Sequence, residues 1–319
     1  MSELALAVFA SETGTHLVRP PRGERWRTFE RRFDERAYLE RLAAGGHRFL
    51  PRSSPGFPPL LRAIHDPPAG LFLRGEAEPQ ILAQPSVAVV GARACSGYGA
   101  SVGRSLGREL AAAGVVVVSG LARGVDAEAH RGALEAAGTT VAVLGCGIDR
   151  DYPAGHAELA GRVAGAGLIV SEYAPGVEPA PWRFPARNRL VAGLCAATVV
   201  VEARERSGAL ITADLAVEEG REVFAVPGEI TSSLSAGTNA LLKLGAAPLT
   251  SAADVLASFG IQPEPVQSER SPFLELLPAS ADELVRRTGL GADEVARTLV
   301  ELEIEGQVAV QEGIYRSLR

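Results

Sequence analysis

A chain of 319 residues with 46% hydrophobic content carries apolar material for one large core and one or two small ones, so two or three domains are expected. Its formal net charge of -6 excludes a protein coated in basic patches, and any polyanion site must be local. Three cysteines, Cys95, Cys146 and Cys195, lack CxxC or Cys/His spacing. That excludes a disulfide framework or a zinc site and fits plain packing in a reducing cytoplasm.

The opening MSELALAVFASET places Glu3 ahead of its apolar run without a basic segment, so a signal peptide is not expected, and no run reaches membrane-spanning length. Residues 1–80 hold 12 basic and 10 acidic residues, 81–267 hold 14 and 18, and 268–319 hold 6 and 10. The tail is therefore the acidic part. Lys243 is the sole lysine; base composition explains that, although arginine also suits phosphate forks and base stacking.

Residues 1–56 form the expected N-terminal helical region, poorly patterned except for one helix over 35–44 that stops at Gly45-Gly46. The stretch FLPRSSPGFPPLLRAIHDPPAGLFLRG places Leu60, Leu61 and Ile64 on one helical face and reads as a lead-in packed on the next domain. Over 57–260 the runs VAVVG, VVVVSG, TVAVLG, GLIVSE, ATVVVEA and EVFAVPG are continuous rather than alternating in polarity, the pattern of strands buried on both faces. Helical stretches lie between them. This order predicts an α/β fold with a doubly wound, parallel, Rossmann-like sheet. A linker, IQPEPVQSERSP, is expected over 261–272. Over 273–319, helices at 274–277, after Ser280 and over 293–303 lead to a hairpin turned at Gly313, which is the winged-helix arrangement.

Ligands of doubly wound sheets bind beyond the carboxyl ends of the strands. The first run ends in VAVVGARACSGYG, whose glycines, Gly91, Gly97 and Gly99, do not make GxGxxG. The second run ends in Ser119-Gly120, where a ribose-binding acid would stand, so no nicotinamide cofactor is expected. What remains is a Gly-rich turn with Ser96 at a helix start and Arg93 beside it. Read alone, it is a tight turn carrying a surface arginine. Other strand ends deliver the same chemistry: Arg123 in SGLARGVDAEAH, then Arg187, Asn188 and Arg189 in WRFPARNRLVAGL, and Arg206, Ser207 and Gly208 in EARERSGALITA. Arginines, small hydroxyls and free N–H groups along one edge suit phosphodiesters. Asp126 and Glu202 are read as a helix cap and a structural partner for an arginine, not as general acid and base.

The ordered series VGARACSGYG, VSGLARGVDAEAHRGAL, YPAGHAEL, GLIVSEYAPG, FPARNRLVAGL, VVVEARERSGALITADLAVEEGREVFAVPG and AGTNALLKLGA resembles the DNA-processing protein A (DprA/Smf) family over about 58–256. The resemblance implies an extended Rossmann fold that is not an enzyme and binds single-stranded DNA without a cofactor. By motif it assigns single-strand contact to Arg93, Arg187, Asn188, Arg189 and Arg206, and the candidate site along the edge also includes Gly91, Ser96, Arg123, Ser207, Gly208 and Lys243. It further implies a cytoplasmic protein of natural transformation and DNA recombination that forms a homodimer, relieves the block imposed by single-strand-binding protein, protects incoming strands and helps load RecA recombinase.

The first 50 residues depart from the sterile-alpha-motif-like lead domain of many relatives. In the terminal unit, the third helix sets Asp293, Glu294, Glu301, Glu303 and Glu305 against Arg297, which favours protein contact over DNA contact. Two other classes are weighed. A cytokinin-activating-type phosphoribohydrolase would need PGGxGTxxE, but Pro227-Gly228 leads into EITSS. A winged-helix transcription regulator would need a basic recognition helix.

Overall fold

The computed structural model describes residues 2–15, 19–261, 272–304, 307–311 and 313–317. The chain divides into two compact units, Met1–Gln262 and Pro263–Arg319. The helical region expected over 1–56 is thus part of the first unit.

That unit opens with α1 (Glu3–Thr13), α2 (Glu24–Arg32) and α3 (Glu35–Ala44). Ser2 and Asp34 supply the N-caps of α1 and α3, accepting from Ala5 N and Ala37 N. Sequence reading anticipated only α3. The first helix shows no polar stripe because Leu4 through Phe9 are all buried, and a helix buried all round loses its 3.6-residue signature. The second carries a narrow apolar face on an arginine-rich body, with Trp26 buried. Phe9 packs edge-on to Trp26 at 5.2 Å and Phe29 stacks on Phe33 at 5.4 Å. This aromatic group closes over Phe72, Leu144 and Ile169 of the sheet.

Next come β1 (His47–Pro51), the one-turn α4 (Pro59–Arg62) and β2 (Gly70–Arg74), followed by β3 (Ser86–Val90), α5 (Gly97–Ala112), β4 (Val116–Ser119), α6 (Val125–Glu135), β5 (Thr140–Leu144), α7 (Ala157–Ala166) and β6 (Leu168–Ser171). The second half holds α8 (Arg183–Leu194), β7 (Ala197–Val200), α9 (Gly208–Glu218), β8 (Glu222–Ala225), α10 (Ala236–Lys243), β9 (Ala247–Pro248) and α11 (Ala252–Ser258). All six anticipated runs are strands. They form one sheet of nine in the order β1-β2-β6-β5-β4-β3-β7-β8-β9, parallel from β6 to β9. Of the first two strands, read as a lead-in, β2 adds antiparallel to β6 and β1 adds antiparallel to β2.

Valine-rich continuity has its cause in two-sided burial. Ala88 and Val90 of β3 face one core with Val118, Val143 and Val200, while Val87 and Val89 face the other with Val117 and Val199. The chain leaves β3 toward β4, β5 and β6, then crosses back to lay β7 on its other side. That reversal makes the gap beyond β3 and β7 the switch point of the sheet.

The second unit contains α12 (Pro272–Glu275), α13 (Ala281–Thr288), α14 (Ala292–Ile304) and the hairpin β10 (Val308–Gln311) with β11 (Ile314–Ser317). Ser280 caps α13 at Glu283 N, and Gly289 ends it with φ 72°. Gly313 turns the hairpin with φ 76°. Leu284, Val295, Leu299, Leu302 and Val308 form a separate core, and three helices with a hairpin make a winged helix. Most of the expected linker lies outside the described residues.

Candidate nucleic-acid interface

A cleft of about 240 Å³ opens at the switch point, lined among others by Gly91, Arg93, Gly120, Asp126, Asn188, Ser207 and Gly208. A second hollow of about 410 Å³ adjoins it beyond β4 and β5, lined by Arg93, Arg123, Cys146, Tyr152, Phe184 and Arg187. Four stretches far apart in sequence therefore converge because their strands end at one edge.

The arginines divide into two groups. Arg93 and Arg123 are exposed, with the Arg93 guanidinium 5.5 Å from the centre of the Phe184 ring. Arg187 is buried at 4% exposure. It donates to Gly120 O at 2.8 Å and to Val143 O, and it faces Asp126, whose carboxylate accepts from Gly120 N at 3.1 Å and Ala122 N at 3.4 Å. Burial raises the Asp126 carboxyl and the Arg187 charge opposes that rise, while burial lowers the Arg187 guanidinium. Arg187 thus joins the ends of β4 and β5 from inside while also lining both hollows. Arg189 pairs with Glu172 at 2.5 Å and Asp66 at 3.2 Å.

Asp126 is in the first turn of α6, and the N-cap is Gly124. It therefore fastens the preceding loop instead of capping the helix. Glu202 also departs from expectation: it accepts from Ser96 N at 2.9 Å and Ser96 Oγ at 2.5 Å, so its partner is a serine, not an arginine. Ser96 in turn caps α5 through Gly99 N at 3.0 Å.

At α9, Ser207 is the N-cap without a side-chain capping bond, and Arg206 before it adopts φ 59°. The first α9 turn lines the cleft end with Ser207, Gly208 and Ala209, and a helix N-terminus there is suited to an anion. Asn188 fixes this turn from α8, donating through Nδ2 to Gly208 O at 3.0 Å. Arg206 and Lys243 are exposed, and neither lines the two hollows.

Two aromatics went unnoticed in the sequence. Tyr152 and Phe184 stack with centroids 5.1 Å apart and an interplanar angle of 28°, presenting a π surface next to Arg93. Phe184 stands inside the stretch that carries Arg187, so proximity in sequence was its one signal. Among the described residues no group of acidic, histidine and cysteine side chains is arranged to hold a metal, and no helix is long and apolar enough to cross a membrane.

A doubly wound sheet with an arginine- and hydroxyl-lined switch point, joined to a winged helix, defines a two-unit protein with a Rossmann-like body. The family model "DNA recombination-mediator protein A" matches residues 48–260 and "DprA winged helix domain" matches 262–313; the chain belongs to the DprA family. Protein Smf of Escherichia coli (strain K12) is 39% identical, covering 98% of this chain and 87% of its own. DNA processing protein DprA of Streptococcus pneumoniae is 47% identical over 64% of this chain and 71% of its own. The X-ray structure of DNA processing protein A from Streptococcus pneumoniae superposes with a TM-score of 0.69 at 37% identity, over 80% of this chain and 93% of that one. DNA processing protein A from Helicobacter pylori, described for its single-stranded DNA binding mode, does so with a TM-score of 0.60 at 32% identity, over 67% and 95%.

Proposed function

We propose that the chain binds single-stranded DNA along the carboxyl edge of its sheet and acts without catalysis in DNA processing. The observation that carries this reading is the cleft itself, where Arg93, the uncapped α9 turn and the Tyr152–Phe184 stack stand together. A guanidinium and backbone N–H groups attract phosphate, and ring faces accept unpaired bases of any sequence. Both carboxylates at the edge are engaged by N–H or hydroxyl donors, which supports a binding role in place of acid–base chemistry. The Helicobacter pylori relative described for single-stranded DNA binding supports the same reading.

In the cytoplasm such a protein receives strands imported during transformation, protects them, displaces single-strand-binding protein and helps load RecA. A homodimer through the Rossmann-like body fits the exposed Ile211, Val217 and Leu244 on and after α9 and α10, and two edges on one strand raise avidity. Sedimentation at micromolar concentration reads the dimer.

Fluorescence anisotropy with single-stranded, duplex and mononucleotide probes tests the reading. Single strands should win with little sequence dependence, and Arg93→Ala should weaken binding uniformly and reduce the salt slope by about one. Equal affinity for duplex, or an unchanged salt titration of that variant, would overturn the site.

A further inference from the structure

Two helix N-termini meet the switch point, those of α5 after β3 and α9 after β7. In doubly wound sheets that bind nucleotides, the first of these turns receives the pyrophosphate, because its N–H groups and helix dipole favour negative charge. Here that position holds a carboxylate of the protein itself. Glu202 follows β7, is 4% exposed, and accepts from both the backbone N–H and the hydroxyl of Ser96 at the head of α5. It lies so close that a Cβ added at Gly99 would stand 2.5 Å from its carboxyl carbon and 3.1 Å from its Cγ. Glycine at 99 is what lets the carboxylate reach the first turn. Among the described residues no comparable carboxylate serves α9, whose cap residue Ser207 makes no capping bond.

We infer that Glu202 is a specificity-determining residue: its carboxylate is an internal anion that closes the α5 N-terminus to the paired phosphates of nucleotides and leaves the α9 turn for one phosphodiester at a time. The inference rests on the reading of the cleft as a single-strand site. A nucleoside di- or triphosphate concentrates charge on adjacent phosphates and depends on the α5 donor set. A single strand spaces one charge per nucleotide and needs only one donor set. With the carboxylate in place, a second phosphate at the switch point would meet a filled space and a like charge, and both disfavour it.

Titration calorimetry of the full chain with inorganic pyrophosphate tests this, alongside anisotropy of the unmodified chain with a short single-stranded oligonucleotide. Glu202→Ala opens the space and removes the charge, and it should bind pyrophosphate at least about tenfold more tightly than the unmodified chain. Glu202→Gln keeps the volume and an acceptor for Ser96 N and should stay as closed as the unmodified chain. That pattern separates exclusion from simple anchoring of the loop, since anchoring alone predicts no gain of a new ligand. Circular dichroism confirms folding, and Glu202→Ser, which retains a hydroxyl beside Ser96, replaces the alanine variant if that one unfolds. Pyrophosphate binding by the unmodified chain equal to that of Glu202→Ala, or a folded small-residue variant that gains none, would overturn the inference. An unmodified chain that fails to bind the oligonucleotide, with Glu202→Ala still gaining pyrophosphate, would instead overturn the single-strand reading and leave the exclusion standing.

Discussion

At the scale of single residues, the same side-chain type does opposite work within a few ångströms. Arg93 is exposed and free to meet a ligand, whereas Arg187 satisfies two carbonyls and the Asp126 charge inside the edge. Removing one member of a buried charge pair leaves the other uncompensated. Arg187→Ala should therefore lose about 3–5 kcal/mol of stability, read by urea denaturation, while Arg93→Ala melts like the parent. His130 offers a pH test. It is fully buried, with Nδ1 2.7 Å from Thr140 Oγ1, which itself donates to Val117 O. Burial first, and then the nearby His156 and Arg187 charges, hold its pKa down to about 3 from 6.5. The folded ring stays neutral where the unfolded one takes a proton, so this contribution is present above pH 6.5 and is lost as pH falls toward 3. Between pH 6 and 5 the loss should approach about 1.4 kcal/mol per pH unit. His130→Asn should flatten that slope in denaturant titrations at the two pH values.

At the scale of elements, the close approach of α5 and α6 sets the layer behind β3 and β4. Gly132 on α6 lies against the α5 backbone, and an added Cβ would press on the Arg104 carbonyl and stand 2.9 Å from Arg108 N. Gly107 on α5 answers it, where an added Cβ would stand 2.9 Å from the Ala129 carbonyl carbon. Backbone cannot yield as a flexible side chain does, so Gly132→Ala should cost about 1–3 kcal/mol by overpacking. Calorimetric melting checks it. Separation of these helices would also shift the loops that carry Arg93 and Arg123, and DNA affinity should fall with stability.

At the scale of the whole molecule, charge separates the two units. The winged helix exposes Asp293, Glu294 and Glu301 along α14 against Arg297, which repels a phosphate backbone. Truncation after Gln267 should leave single-strand affinity within about twofold, because the cationic groups of the candidate site all belong to the first unit. Anisotropy on the truncated and full chains measures this; loss of binding in a folded truncation would contradict it.

Much of this organisation was legible in the chain. Continuous valine runs announce strands buried on both faces, and a parallel sheet puts their carboxyl ends on one edge. Gly91, Arg93, Ser207 and Gly208 could thus be assembled into one site before any coordinates. The helix expected after Ser280 was equally readable, since the serine cap and the Gly289 stop that bound it both depend on local backbone geometry. What the tertiary structure alone decided is which charged groups remain available. Arg187 meets Gly120, 67 residues away, and Glu202 meets Ser96, 106 residues away; neither pairing leaves a local trace. The same holds for α1, whose uniform burial erased its periodicity, and for β1 and β2, which extend the sheet from the far side. A residue type states what chemistry a side chain can do, but desolvation and distant partners determine whether that chemistry faces a ligand or the protein's own backbone.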